Sequence, residues 1–381
     1  MDVADGTSAT RRLLYATHGL TTHDRRFVEA AVEAGWHVHY VRFDGGSHVL
    51  DNRGLPAGVV EHDWLGAQQA FGPDRHEAFV DAFAEVLAAV HPTVVHAGPI
   101  PTVGHVVTRA MQITVDHCPV VLMSWASDLL IDVQRDPAAM IMAREALAAS
   151  AGVIVDCTTI ADIATALGAR PDRMLVVPWG VDLEQIRFVA PRPAARPLQL
   201  LSLRTHEAIY DVEALVRACA IVRDEAGAGA LRVTIAGSGS LSVGLEALAH
   251  ELALDDDVRW IGRIDEDAVL HELAACDVHV STSHSDGSSI SLLQAMAVGR
   301  PSIVTDIPSN REWVQPGVNG WLFPVADADG LARAITDLLR QPTLPATMAP
   351  ACRSTVEERA DWRKNRRHIG EFYERVVSSW S

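Results

Sequence analysis

Residues 283–301 read SHSDGSSISLLQAMAVGRP. The stretch opens as small polar residues around one acid, Asp286, and then turns apolar, with a single amide, Gln294, set in it. Ser288 or Ser289 can cap a helix that starts here, its side-chain oxygen taking a backbone N–H. Further N–H groups near Ser289 and Ile290 then stand at the open helix end, where the partial positive charge favours a phosphate or sugar oxygen. Just upstream, DVHVSTS (277–283) reads as a strand, and just downstream SIVTDI (302–307) reads as another. Strand, polar loop, helix and strand are the repeating unit of a parallel sheet with helices on its faces.

The unit recurs in both directions. Towards the C-terminal half lie the strands LQLLSLR (198–204), LRVTIA (231–236) and VRWIG (258–262). They alternate with the helices VEALVRACAIVRDE (212–225), LSVGLEALAHELAL (241–254) and EDAVLHELAAC (266–276). DADGLARAITDLLR (327–340) is a helix with Asp327 as its N-cap. The N-terminal half repeats the scheme with short apolar runs at 13–16, 94–97, 119–125 and 151–157, separated by helical stretches that end at Gly35 and Pro92. Alternation stops once, at FVAPRPAARPLQ (188–199), where Pro191, Pro193 and Pro197 exclude a helix or a central strand. A domain boundary is placed there: 1–190, then 191–357, then a terminal helical stretch 358–381 returning to the first domain, with Trp380 docking it.

In open sheets of this kind ligands bind beyond the carboxyl ends of the strands. The residues at those positions are Arg204 and His206, then Gly237-Ser238-Gly239, then Arg263 and Ile264, then the loop around Asp286. Arginine is a permanently charged fork suited to phosphate oxygens. With a glycine turn and a helix N-terminus, it makes a diphosphate site.

The chain resembles a GT-B fold glycosyltransferase of the retaining family 4 (glycosyl transferases group 1). The resemblance is carried by DGSSISLLQAMAVGRPSIVTDIPSNREWVQPGVNGWLFP, VVPWGVDLEQI, TIAGSG and VRWIGRI, and more weakly by GLTTHDRRFVEAAVEAGWHV and VVHAG. It implies two Rossmann-like doubly wound domains with an interdomain cleft and a C-terminal helix crossing back. It implies an N-terminal acceptor-binding domain and a nucleotide-sugar-binding C-terminal domain. The family's acid pair falls on Asp286, which holds a donor sugar hydroxyl, and Gln294, which accepts from the ribose without carrying a charge. Arg204 takes the place of the family's phosphate arginine. The family's lysine is missing: Tyr210 falls nearest its place, and His206 or Arg263 can substitute. Ile264, Ser288, Ser289 and Ile290 complete the donor side, and Gly19 is the glycine where backbone approaches the donor. Where family members often carry a histidine, Trp125 stands, so Asp128 and His96 are the catalytic-side candidates of the first domain. His23 and Trp125 are placed on the acceptor side. The co-substrate implied is a nucleotide-diphosphate sugar, with no bound cofactor or metal. A nucleotide-sugar epimerase, a phosphorylase or a catalytically silent homologue remain alternatives.

The rest of the chain bounds these readings. The net charge of −17 over 381 residues argues against a general nucleic-acid binder and against broad attachment to an anionic membrane. Lys364 is the only lysine, which excludes a P-loop and a pyridoxal lysine elsewhere. Cys118, Cys157, Cys219, Cys276 and Cys352 are far apart, as reduced buried thiols of a cytoplasmic protein would be. The triplet Asp255–Asp257 reads as a solvated turn, and His37 and His39 lack a third ligand for a metal. No apolar run reaches the ~18 residues of a membrane span. The expected partners are a nucleotide sugar and a soluble glycosyl acceptor.

Overall fold

A computed structural model describes residues 11–46, 53–191 and 197–380. The N-terminal segment 1–10 and Pro193 of the proline cluster lie outside the described residues. The chain divides into two units: residues Met1–Val177 with Lys364–Ser381, and residues Pro178–Arg363.

The first unit is built on a seven-stranded sheet. Its strands are β1 (Arg12–Thr17), β2 (His37–Arg42), β3 (Val60–Glu61), β4 (Val94–Ala97), β5 (Val120–Met123), β6 (Gly152–Val155) and β7 (Met174–Val176). They lie in the order β3-β2-β1-β4-β5-β6-β7. The described pairings are parallel, with Leu13 opposite both Val38 and Val94. β4, β5 and β6 are buried at every position, so they read as continuous apolar runs rather than as alternating ones. The helix Thr22–Glu33 starts at a capping box in which Thr21 and Asp24 satisfy each other's backbone N–H groups. Asp24 is buried and also accepts from the Tyr15 hydroxyl at 3.0 Å. Burial pushes its carboxyl up to about 6, against the pull of its hydrogen bonds.

The terminal helix Trp362–Ser379 begins in the second unit and ends in the first. Ile369, Phe372, Tyr373 and Val376 bury its apolar face. Gly152 on β6 makes room for it, since a Cβ there would come within 2.8 Å of the Phe372 ring. The expectation that Trp380 docks this helix is corrected: its side chain is 43% exposed, and the docking is done one and two turns earlier.

The second unit is a six-stranded sheet of β8 (Leu198–Leu203), β9 (Leu231–Ala236), β10 (Val258–Gly262), β11 (Val278–Ser281), β12 (Ser302–Thr305) and β13 (Gly320–Phe323). The order is β10-β9-β8-β11-β12-β13. Asp327 caps the helix Ala328–Arg340 by accepting from Gly330 N at 2.8 Å. The chain enters this unit at Pro178, earlier than the proline cluster. Residues 178–191 carry almost no regular structure, yet Val181 and Ile186 sit in the same apolar cluster as Leu292 and Val304. Val189 N also bonds Val298 O at 3.0 Å. Burial of that irregular segment therefore ties it to the second unit. Asp257 is not a solvated turn residue: it is buried and pairs with Arg223 at 3.3 Å. All five cysteines are buried, and none of them forms a disulfide.

Candidate donor site

In the second sheet β8 lies between β9 and β11. Winding proceeds one way through β9 to β10 and the other way through β11 to β13, so the loops after β8 and β11 part at the reversal. That is where open parallel sheets bind ligands.

Arg204 follows β8 and is buried there. Its Nε donates to Ser281 Oγ at 2.8 Å. Its Nη2 donates to Asp286 Oδ2 at 2.5 Å and to Ser289 Oγ at 2.6 Å. The guanidinium also sits 5.3 Å from the centroid of the Tyr210 ring. The residue nearest the missing lysine's place thus packs on the arginine, a cation–π contact in place of a second cation. Ser281 and this role of Tyr210 were not foreseen. The place of Ser281 at the end of β11 was the available signal.

The helix Ile290–Val298 is capped by Ser289, whose Oγ lies 3.5 Å from Leu292 N. Ser288, the other candidate cap, instead accepts from Trp313 Nε1 at 3.3 Å. Asp286 and Gln294 are half-buried, while Ser288 and Ser289 are buried. Ile290 is half-buried at the first position of the helix, and Gln294 lies one turn on, on the same face.

The loop after β9 packs directly on the loop after β8. Gly237 has φ +134, and a Cβ on it would lie 2.1 Å from Arg204 O. A Cβ on Gly239 would lie 2.5 Å from His206 O. Only glycine permits backbone contact this close. His206 N bonds Ser238 O at 3.2 Å, and its Nδ1 lies 2.9 Å from Ser242 Oγ. Burial lowers the His206 pKa, which makes it a neutral hydrogen-bonding ring and a poor replacement for a lysine charge. Its Nε2 is buried with no hydrogen-bond partner in the described structure. Gly237 N in turn bonds Gly262 O at 2.7 Å, which carries the wall on to exposed Arg263 and half-buried Ile264.

In the first unit, Gly19 is buried in the loop after β1, next to His18, whose Nε2 lies 3.2 Å from Thr102 Oγ1 in the segment after β4. His23 stands in the first turn of the helix Thr22–Glu33, half-buried. Burial and the neighbouring Arg26 lower its pKa to about 4. Trp125 is half-buried after β5. His96 and Asp128, expected on the catalytic side, are core residues. His96 is fully buried on β4, with Nδ1 2.6 Å from the Tyr373 hydroxyl. Desolvation lowers its pKa to about 3, so it is neutral. Asp128 accepts from Ser124 Oγ and from the backbone N–H of Trp125, Leu129 and Ile100, all within 3.0 Å. Those bonds use its oxygens to fix the turn after β5. Strand-end position does not tell a residue that faces out from one that ties the loop down.

The whole described architecture is shared with solved GT-B enzymes. Sucrose-phosphate synthase from Thermosynechococcus elongatus superposes with a TM-score of 0.82 at 20% identity, covering 97% of this chain and 100% of that one. HepE of Anabaena, in complex with UDP-glucose, superposes with a TM-score of 0.74 at 16% identity, covering 97% and 100%. The fold is therefore GT-B. Residues 185–367, which hold the candidate site, match the family described as Glycosyl transferases group 1. Similar curated proteins include the amylovoran biosynthesis glycosyltransferase AmsK of Erwinia amylovora, 24% identical over 56% of this chain and 53% of its own length. The D-inositol 3-phosphate glycosyltransferase of Geodermatophilus obscurus is 30% identical over 66% of this chain and 56% of its own length. The chain spans about half the length of the curated relatives it matches. Among the described residues no helix is long and apolar enough to cross a membrane.

Proposed function

We propose that this chain is a retaining family 4 glycosyltransferase that moves a sugar from a nucleotide-diphosphate donor to a hydroxyl of a soluble acceptor, in the cytoplasm and without a bound metal. The observation that carries the reading is the convergence of Arg204, Asp286 and Ser289 at the reversal of the second sheet, beside the N-terminus of the helix Ile290–Val298. The UDP and UDP-glucose complexes of HepE support a nucleotide sugar as donor.

In this reading the C1–O bond to the β-phosphate breaks as the acceptor oxygen bonds to C1 on the same face. The acceptor proton passes to the departing phosphate oxygen. Negative charge grows on the diphosphate, and Arg204 and the free amides near Ser289 and Ile290 oppose it. Fixed donors of this kind act on the charge that develops in the transition state. Asp286 accepts from a hydroxyl of the transferring sugar, and Gln294 accepts from the ribose. His206 supplies a neutral hydrogen bond where the family carries a lysine.

The test is incubation with UDP-glucose and a panel of other nucleotide sugars. Slow release of free sugar with the donor's anomeric configuration is the expected result. Release with inverted configuration would overturn retention. Nucleoside-diphosphate binding without any release from any donor would favour a silent homologue.

A further inference from the structure

The loop that carries Asp286 is fastened on both sides of it. Two residues before, His284 Nε2 lies 2.9 Å from Asp211 Oδ2. Two residues after, Ser288 Oγ accepts from Trp313 Nε1 at 3.3 Å. The first fastening reaches 73 residues back, to the turn that follows β8. Two more bonds join the loop to that turn. His284 N donates to Ile209 O at 2.8 Å, and Thr282 Oγ1 donates to Tyr210 O at 2.7 Å. The turn is the one whose Tyr210 ring lies against Arg204.

The bond from His284 does not depend on the charge of its ring. A carboxylate can only accept, so Nε2 carries a proton towards Asp211 in the neutral and in the cationic form alike. Asp211 has φ 42 and ψ 48, the left-handed region that few residues other than glycine occupy. Its Oδ1 caps the helix Val212–Ala226 by accepting from Ala214 N at 3.3 Å, and its Oδ2 faces His284. One carboxylate therefore joins a helix start to the Asp286 loop. Backbone held in such a region persists where its surroundings over-determine it, and such positions gather at ligand clamps. The His284 side chain is 39% exposed and that of Asp211 18%. A pair open to solvent in this way adds little to stability, so its effect lies in what it orients.

Arg204 is the inner contact of Asp286. A diphosphate that takes the guanidinium removes this contact when Asp286 must face the sugar. The outer fastenings are what then keep the loop in place. Resting on the glycosyltransferase reading above, we infer that His284 is a positioning residue: through Asp211 it keeps Asp286 on the transferring sugar once Arg204 has turned to the diphosphate.

The test measures hydrolysis of UDP-glucose and the same panel of nucleotide sugars by the full chain, beside calorimetric binding of those donors and of UDP. A misplacement of about 1 Å can cost on the order of a hundredfold in rate. His284→Ala should lower kcat by about tenfold or more and leave UDP affinity within about threefold, because the lost interaction belongs to the reacting sugar. His284→Gln, whose amide Nε2 can still donate to Asp211, should restore most of the lost kcat. In an Asp286→Asn background His284→Ala should lower kcat by less than about twofold, since residues that act through one another are not additive. An unchanged kcat, a fall in UDP affinity as large as the fall in kcat, no recovery with His284→Gln, or a full loss in the Asp286→Asn background would each overturn the inference. A wild type that hydrolyses no donor would count against the transferase reading by itself. The positioning is then read from binding: a donor should bind more tightly than UDP, and His284→Ala should abolish the difference. A difference that survives His284→Ala, or that the wild type lacks for every donor, would overturn the inference there.

Discussion

Replacing Asp286 with asparagine separates the two tasks assigned to the loop after β11. Arg204 is paired with Asp286, and both side chains are largely sequestered, 10% and 20% exposed. A diphosphate that recruits Arg204 must draw it away from that carboxylate. A hydrogen bond to a charged group contributes ~1.5–3 kcal/mol and a neutral one ~0.5–1.5 kcal/mol. Asparagine keeps an acceptor near Arg204 but removes the charge, so the competing bond weakens by about 1 kcal/mol. The bonds from Arg204 to Ser281 and Ser289 persist, so the guanidinium stays in place. Asp286→Asn should therefore tighten a nucleoside diphosphate by roughly fivefold and leave the bare nucleoside unchanged. In the proposed function the carboxylate contact belongs to the reacting sugar, so turnover should fall. Isothermal titration with UDP and uridine, beside donor hydrolysis, reads both effects. Weaker UDP binding in Asp286→Asn would refute the competition and make Asp286 a support for Arg204. Unchanged turnover would refute its contact with the sugar.

Arg204→Ala should weaken a nucleoside diphosphate by ~1.5–3 kcal/mol while sparing the nucleoside, and equal losses for both would rule out a diphosphate role. Gln294→Glu should tighten a ribonucleotide by roughly 1 kcal/mol with little effect on the 2′-deoxy analogue; loss of activity would show that the amide donates a bond a carboxylate cannot. Desolvation lowers the pKa of buried His96 and His279 to about 3, below the value of ~6.5 in the unfolded chain. The unfolded state then binds the proton first, so this stability is full above pH ~6.5 and is lost as pH falls towards 3. The loss between pH 7 and 5 is about 2 kcal/mol for each ring. Asp24 and Asp128, raised to about 6, act the other way, favouring the folded state as pH falls through 6. In urea titrations at the two pH values, His279→Asn should lose about 2 kcal/mol less than the wild type, and an identical pH dependence would refute the assignment.

What the sequence made legible follows from which interactions are local. Helix–strand alternation repeats at short range, so both parallel sheets could be read from it, as could the cap at Asp327. The loop after β11 and the helix start at Ile290 were legible because Asp286, Ser289 and Ile290 are neighbours in the chain. What failed was direction. His96 and Asp128 occupy strand-end positions of the kind that serve Arg204, but one turns inward onto Tyr373, 277 residues away, and the other onto its own loop. Nothing within a few residues of either specifies that choice; it is set by which partner is packed behind the strand. The pairing of Arg204 with Asp286 across 82 residues was hidden for the same reason. The domain boundary misled differently. Prolines mark where regular structure stops, whereas membership of a unit is decided by burial, and Val181 and Ile186 are buried well before the first proline of the cluster. The residues least legible from sequence are thus those whose role depends on a distant partner, and the pairing of Arg204 with Asp286 is the one among them that a single neutral substitution can probe directly.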